Sequence, residues 1–225
     1  METTTVNESR LSNALSGNYQ FKMGDYINKG FDIFKKDPGL FIGFTLIYTT
    51  ITAVLAFIPI VGTIANMAIS APLAAGFYIM ADKVNKNESR SFADFFKGFD
   101  SFLPLFLIGL VGGIITVLCL ILLILPGIYI AVCYIFASMF ALFYKNEFWD
   151  ALENSRKVIK NNWWSLFGFL IVLGLINLLG LLCLGVGIFV TIPATACAMY
   201  AAFDDIAGTS GKSVDSDLTS TILDA

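Results

Sequence analysis

Between Asp37 and Asp82 the chain runs 44 residues without a charged side chain. Two further stretches repeat the pattern, 44 residues between Asp100 and Lys145 and 43 between Lys160 and Asp204. An α-helix rises 1.5 Å per residue and a bilayer core is roughly 30 Å thick, so about 20 apolar residues make one crossing and each block makes two. Turn residues punctuate each block: Pro59 to Gly62 in the first, Pro126-Gly127 in the second, Gly185 with Gly187 in the third. The expected fold is therefore all-α, a polytopic bundle of six transmembrane helices over 39–58, 61–81, 102–124, 128–144, 164–183 and 187–203. Composition agrees, since 57% hydrophobic and 14% charged residues do not make a water-facing surface.

The charges that remain set an orientation. Lysine and arginine occur at Arg10, Lys22, Lys29, Lys35 and Lys36, then Lys83, Lys86, Arg90 and Lys97, then Lys145, Arg156, Lys157 and Lys160, and finally Lys212. None falls in the three turns inside the blocks. The excess of positive charge on one side places both termini and both long connections in the cytoplasm, with the bundle in the plasma or inner cell membrane. No early basic region precedes a short apolar core, so the first crossing is expected to serve as the targeting signal.

Each block follows a short amphipathic segment. In 25–36, Tyr26, Ile27, Gly30, Phe31 and Phe34 share one helical face, opposite Asp25, Lys29, Asp32 and Lys36. Phe92, Phe95, Phe96 and Phe99 repeat that face, with Ser91 and Asp94 spaced as a capping box. Phe148, Leu152 and Ile159 form the third stripe, against Asp150, Asn154, Lys157 and Asn161. Such helices either cap the bundle or set their rings and cations against headgroups or a protein partner; Lys29, Lys36, Phe95, Phe96, Trp149, Arg156, Lys157, Trp163 and Trp164 are the candidate lipid or partner contacts. Tyr78, Tyr134, Tyr144 and Tyr200 read as an aromatic belt at the charged interface, with Tyr129 anchoring the opposite one.

The units resemble one another. An ungapped offset of 125 aligns Asp25 with Asp150, Gly30 with Ser155, Ile33 with Val158, Lys35 with Lys160, Gly43 with Gly168 and Gly62 with Gly187. Pro72 meets Pro193 after a four-residue slip, Phe95 to Phe99 echoes Ile27 to Phe31, and Gly127 to Ile130 echoes Gly187 to Val190. Three tandem parallel repeats, about 24–82, 90–145 and 147–205, are the simplest reading. They make a membrane domain over 21–206, flanked by disordered tails at 1–20 and 207–225. Pro72 and Pro193 each free a helix carbonyl, for which Ser70, Thr191 and Thr195 are candidate partners; the same residues are candidates to line a solute path.

The chemistry of catalysis is sparse. Histidine is absent and no block holds an Asp, Glu, Lys or Arg, which argues against an intramembrane proton relay, a histidine-based site and, with a net charge of −3, a nucleic-acid partner. Cys119, Cys133, Cys183 and Cys197 read as small apolar residues, without spacing for a metal or cofactor. The Gly208 to Ser213 run lacks the spacing of a phosphate loop. No enzymatic activity is expected.

Pro126-Gly-Ile-Tyr-Ile-Ala-Val, Phe136-Ala-Ser-Met-Phe-Ala-Leu, Ala151 to Trp164 and Phe167-Gly-Phe-Leu resemble the membrane domain attached to some bacterial glycerophosphodiester phosphodiesterases and found alone in uncharacterised multi-pass proteins. The resemblance is clearest over 120–205 and extends more weakly over 25–205. It implies a bundle whose amphipathic connections end in a small residue and a basic stretch, here Ser155, Arg156, Lys157 and Lys160. It assigns no catalytic residue, and the phosphodiesterase barrel has no counterpart in these residues. A non-catalytic role follows, in organising lipid, assisting assembly or docking a partner at the cytoplasmic loops; the alternative is a transporter or channel for a small solute or lipid.

Overall fold

The computed structural model describes residues 2–58, 61–183 and 185–209, and every regular element among them is helical. The order is α1 (Glu2–Ser16), α2 (Met23–Lys36), α3 (Pro38–Ala56), α4 (Val61–Asn85), a 3-10 segment (Phe92–Ser101), α5 (Phe102–Leu107), a π turn (Ile108–Gly112), α6 (Gly113–Leu122), α7 (Ile124–Cys133), α8 (Ala137–Phe143), α9 (Phe148–Lys160), α10 (Trp163–Leu182) and α11 (Ile188–Ile206). Among the described residues, four stretches are long and apolar enough to cross a membrane: Pro38–Ala56, Phe92–Leu122, Ile124–Phe143 and Trp163–Leu182. The all-α fold with several long apolar helices is what a polytopic membrane bundle requires.

α4 and α11, expected as the second and sixth crossings, are not among those four. The reason is visible at α11. Its residues Ala194, Thr195, Cys197, Ala198, Tyr200, Ala201, Ala202 and Phe203 are all buried by other helices. A helix enclosed by protein meets little lipid, so small and polar residues replace the leucines and isoleucines that coat α10.

Other boundaries moved. The hairpin turn of the second block lies at Leu123, which is extended (φ −154°, ψ 122°), and Pro126-Gly127 stands inside the first turn of α7. Proline costs little there, because the first N–H groups of a helix have no intrahelical acceptor. Gly127 lies so close to Leu120 that a Cβ would overlap its side chain, which keeps the hairpin tight. The stretch read as a disordered tail over 1–20 contains α1, docked on α9: Asn161 Nδ2 donates to the Ser16 carbonyl (3.3 Å), Asn162 Nδ2 to the Tyr19 carbonyl (3.2 Å), and the Tyr19 hydroxyl to the Val158 carbonyl (2.9 Å). Of the other tail, residues 210–225 lie outside the described residues, as do Ser210 to Ser213 of the glycine-rich run.

Each amphipathic segment leads directly into an apolar helix, with only Asp37 between α2 and α3, nothing between Ser101 and α5, and Asn161-Asn162 between α9 and α10. The second segment is a 3-10 helix rather than an α-helix. Its first turn is held by Asp94, whose Oδ2 accepts the Ser91 N–H at 2.7 Å.

The packing order is cyclic. α3 and α4 pack together, as do α6 and α7, and α10 and α11. Each second helix then meets the first helix of the next pair: α4 meets α5, α7 meets α10, and α11 meets α3. The amphipathic segments cross the same junctions, with the 3-10 segment on α4, α9 on α7 and α8, and α2 on α11.

Candidate functional site

The charged end of the bundle carries most of the polar chemistry, and it is built where α2, α4 and α11 converge. Asp204 accepts from Lys29 Nζ (2.9 Å) and Asn85 Nδ2 (3.2 Å), while Asp205 accepts the Tyr26 hydroxyl (2.8 Å). The Tyr200 hydroxyl donates to Asp82 Oδ1 (2.8 Å), which also pairs with Lys86 (3.0 Å). Lys36 reaches the Val84 carbonyl (3.4 Å) and Asn87 Oδ1 (3.3 Å), and Arg90 pairs with Asp37. These groups are cross-braces. Tyr26 shows it: burial, then the hydrogen bond to Asp205, push its hydroxyl above the ordinary tyrosine value.

Three small residues sit where the amphipathic segments cross their neighbours. A Cβ on Gly30 would overlap the Ala198 backbone of α11, and one on Gly98 would overlap the Pro72 carbonyl of α4. At the third crossing the Ser155 hydroxyl enters the gap between α7 and α8, accepting the Phe136 N–H (3.2 Å) and donating to the Cys133 carbonyl (2.6 Å). That gap interrupts the helix near the position which the Gly127/Gly187 alignment matches to Pro193. Gly76 adds a close approach to the Phe95 backbone.

The nine candidate lipid or partner contacts divide. Phe96, Trp149 and Trp164 face outward, the last 79% exposed, whereas Phe95 is fully buried against Phe41, Phe44 and Phe77. Lys29 and Lys36 are committed to the cross-braces above. Arg156 is held bidentate by Glu153 (2.8 and 2.7 Å), with Lys157 beside the same carboxylate (3.8 Å). Those bonds hold the Glu153 carboxyl below its usual range. Trp163 stacks on Tyr129 and donates Nε1 to the Tyr129 carbonyl (3.2 Å), so Tyr129 does not anchor an opposite interface. Tyr144 and Tyr200 are not belt residues either. Both are buried, and the Tyr144 hydroxyl donates to the Ala207 carbonyl at 2.6 Å.

Pro72 and Pro193 lie inside helices that continue past them. Thr195 does not serve the carbonyl that Pro193 frees; it donates to the Ile192 carbonyl (3.0 Å) and accepts from Asn177 Nδ2 (3.1 Å). Asn177 and Thr195 line a cavity of about 320 Å³ between α10 and α11, closed partly by Tyr78 of α4. Ser70 and Thr191 do not line it. Buried oxygens of Asn66, Asn177 and Thr191 have no hydrogen-bond partner. All four cysteines are free, Cys133 and Cys197 buried and Cys183 exposed, and among the described residues no three metal-ligating side chains cluster.

Residues 90–225 match the model of a domain of unknown function, DUF7847. The chain belongs to that family. No curated protein and no solved structure matches it. The family match begins at Arg90, just before the 3-10 segment, and takes in α5 to α11. α2 and α4, which supply Tyr26, Lys29, Lys36, Asp82 and Asn85 to the cross-braces at the charged end, precede it.

Sequence reasoning missed the pairing of Lys29 and Tyr26 with Asp204 and Asp205. The two carboxylates were visible only as charges closing an apolar run, and their partners lie some 175 and 179 residues away. The signal that pointed toward such contacts was the alignment of Gly30 with Ser155, which marks a shared need for a small side chain without naming what it faces.

Proposed function

We propose that the chain is a six-crossing protein of the plasma or inner cell membrane, built from three tandem units whose order closes into a ring, with both termini cytoplasmic. Its role is non-catalytic: the ring is a stiff membrane platform that organises lipid or docks a partner through the rim of its charged face. The observation that carries this reading is the cyclic order of contacts, in which each amphipathic segment is locked to another unit's second helix through Gly30, Gly98 or Ser155. Segments tied down in this way are poor mobile gates but good supports for outward aromatic rings such as Phe96, Trp149 and Trp164.

Photo-crosslinking from positions 96, 149 and 164 in intact membranes tests the docking role. The expected result is discrete adducts from at least one position and none from the buried position 95. Absence of adducts from all three would overturn it. The cavity at Asn177 and Thr195, together with the unpartnered oxygens of Asn66 and Thr191, supports the second reading, passage of a small solute or lipid. Saturable, protein-dependent flux in proteoliposomes that falls on Asn177→Leu substitution would establish that reading in place of the first.

A further inference from the structure

A groove of about 360 Å³ opens between the first turns of α5 and the loop that joins α8 to α9. One wall is apolar, from Leu103 and Leu107; the other is the tripeptide Lys145-Asn146-Glu147, with Phe148 beside it. We propose that this groove holds the headgroup of a zwitterionic aminophospholipid of the phosphatidylethanolamine class, its phosphate on Lys145 and its ammonium on Glu147. This rests on the membrane placement proposed above and not on the docking role.

Four observations argue for that occupant. Lys145 and Glu147 are exposed charges of opposite sign on one wall, and among the described residues neither has an ion-pair partner, as is also true of Asp150, whereas Glu153, Arg156 and Lys157 are paired. Asn146 between them is 5% exposed, and among the described residues its Oδ1 has no hydrogen-bond partner. A buried amide left unpaired is costly unless something supplies its hydrogen bonds. Lys145 holds a left-handed backbone (φ 56°), unusual for a residue with a long side chain, so this presentation of the loop is maintained against a local preference. The opposite wall is apolar and open, Leu103 being 63% exposed, which suits the upper part of an acyl chain.

Charge complementarity selects the headgroup. An anionic lipid satisfies Lys145 and is repelled by Glu147. A choline headgroup carries both charges but has no N–H to give Glu147 or Asn146. An ethanolamine headgroup meets both exposed charges on the wall, Lys145 and Glu147. The volume lies at the small end of the roughly 300–1,000 Å³ typical of small-molecule sites, enough for a headgroup and the start of a chain.

The test is native mass spectrometry of the full chain, extracted in detergent and mixed with equimolar phosphatidylethanolamine, phosphatidylcholine and phosphatidylglycerol of identical acyl chains. We expect ethanolamine lipid to be retained about fivefold over choline lipid, in line with one charge-assisted hydrogen bond gained. E147Q should bring that ratio to about one, K145Q should weaken retention of ethanolamine and choline lipids alike while leaving their ratio, and E147K should invert the preference towards phosphatidylglycerol. Both side chains are exposed and unpartnered, so the melting temperature should stay unchanged in all three variants and report that the fold is intact. L103N should weaken retention of every lipid. Equal retention of ethanolamine and choline lipids by the native chain, or a preference that survives E147Q, would overturn the proposal. So would binding of soluble phosphorylethanolamine as strong as that of the lipid. A chain that fails to insert into liposomes would overturn the membrane placement itself, whereas an inserted chain without headgroup preference would overturn the site alone.

Discussion

At Gly30 the approach of α2 to α11 leaves no room for a side chain, because the atoms in the way are the Ala198 backbone and not a flexible tip. Gly39 has open space where its Cβ would be. The two positions therefore make a matched pair. Gly30→Ala should destabilise the chain by about 1–3 kcal/mol, the usual range for overpacking, whereas Gly39→Ala should be neutral or slightly stabilising through helix propensity. Thermal unfolding of the purified chain, followed by tryptophan fluorescence, separates them; equal melting temperatures for the two variants would mean that α2 is not locked to α11. The sequence distinguished these glycines only in part. Gly30 carried a signal because Ser155 occupies the aligned place and Gly98 the echoed one, yet in sequence Gly39 and Gly43, close by in the chain, are equally compatible with a close helix approach. A glycine in a helix says that a side chain is absent. Which neighbour fills the space is a tertiary fact, set for Gly30 by a residue 168 positions further on.

The amphipathic segments were legible as elements because their apolar faces have a helical period, and their environment was not, because a face that suits lipid also suits a protein groove. Burial of Tyr26, Ile33 and Phe34 in α2, and of Leu152, Val158 and Ile159 in α9, is against other helices. Two measurements address how those segments are held. In α2, the Tyr26 hydroxyl has its folded value raised, first by burial and then by Asp205. A raised value means that the stabilisation is complete below the unfolded value of about 10 and is lost as pH climbs through the folded one. Tyr19, pushed up to about 12 by burial, acts in the same direction. The melting temperature should therefore hold steady from neutral pH to about 10 and fall above it, and Y26F, though slightly less stable at pH 8, should show a shallower alkaline decline. An unchanged slope in Y26F would remove Tyr26 from the contact with α11. In the 3-10 segment, Asp94 is nearly buried between Lys83 (2.9 Å) and Lys97 (2.8 Å) while accepting the Ser91 N–H. D94N should cost about 2 kcal/mol, the scale of hydrogen bonds to a charged group, and should expose the segment to trypsin at Arg90 and Lys97 before the rest of the chain is cut. Cleavage at those sites no faster than in the native chain would show that the segment is held by its phenylalanines alone.

On the scale of the molecule, the charge gaps in the sequence located the apolar helices and the internal alignment suggested units, but neither predicted which helices lie against one another. Pairwise similarity between units does not reveal which one supplies a neighbour's missing wall. The contacts do, and they bear on where the family match starts. A fragment of residues 90–225 contains everything matched to DUF7847, yet it lacks α4, on which the 3-10 segment lies, and α2, which covers α11 and pairs with Asp204 and Asp205. Buried alanines from Ala194 to Ala202 and the ring of Phe95 would lose their cover. Exposed apolar patches of that kind invite association rather than an independent fold. The 90–225 fragment expressed alone should thus be degraded or aggregate, and co-expression of residues 1–89 as a separate chain should restore a soluble, stoichiometric complex in detergent. The break falls in the loop after Asn87, an exposed turn with positive φ, so the cut itself disturbs no helix. Introducing G30A into the 1–89 chain should then weaken the complex, because the contact between α2 and α11 joins the two separate chains. Size-exclusion chromatography with both chains labelled reads the result directly. A monodisperse 90–225 fragment that melts as high as the full chain would show that the ring is dispensable and that α2 and α4 are an addition to an already complete domain.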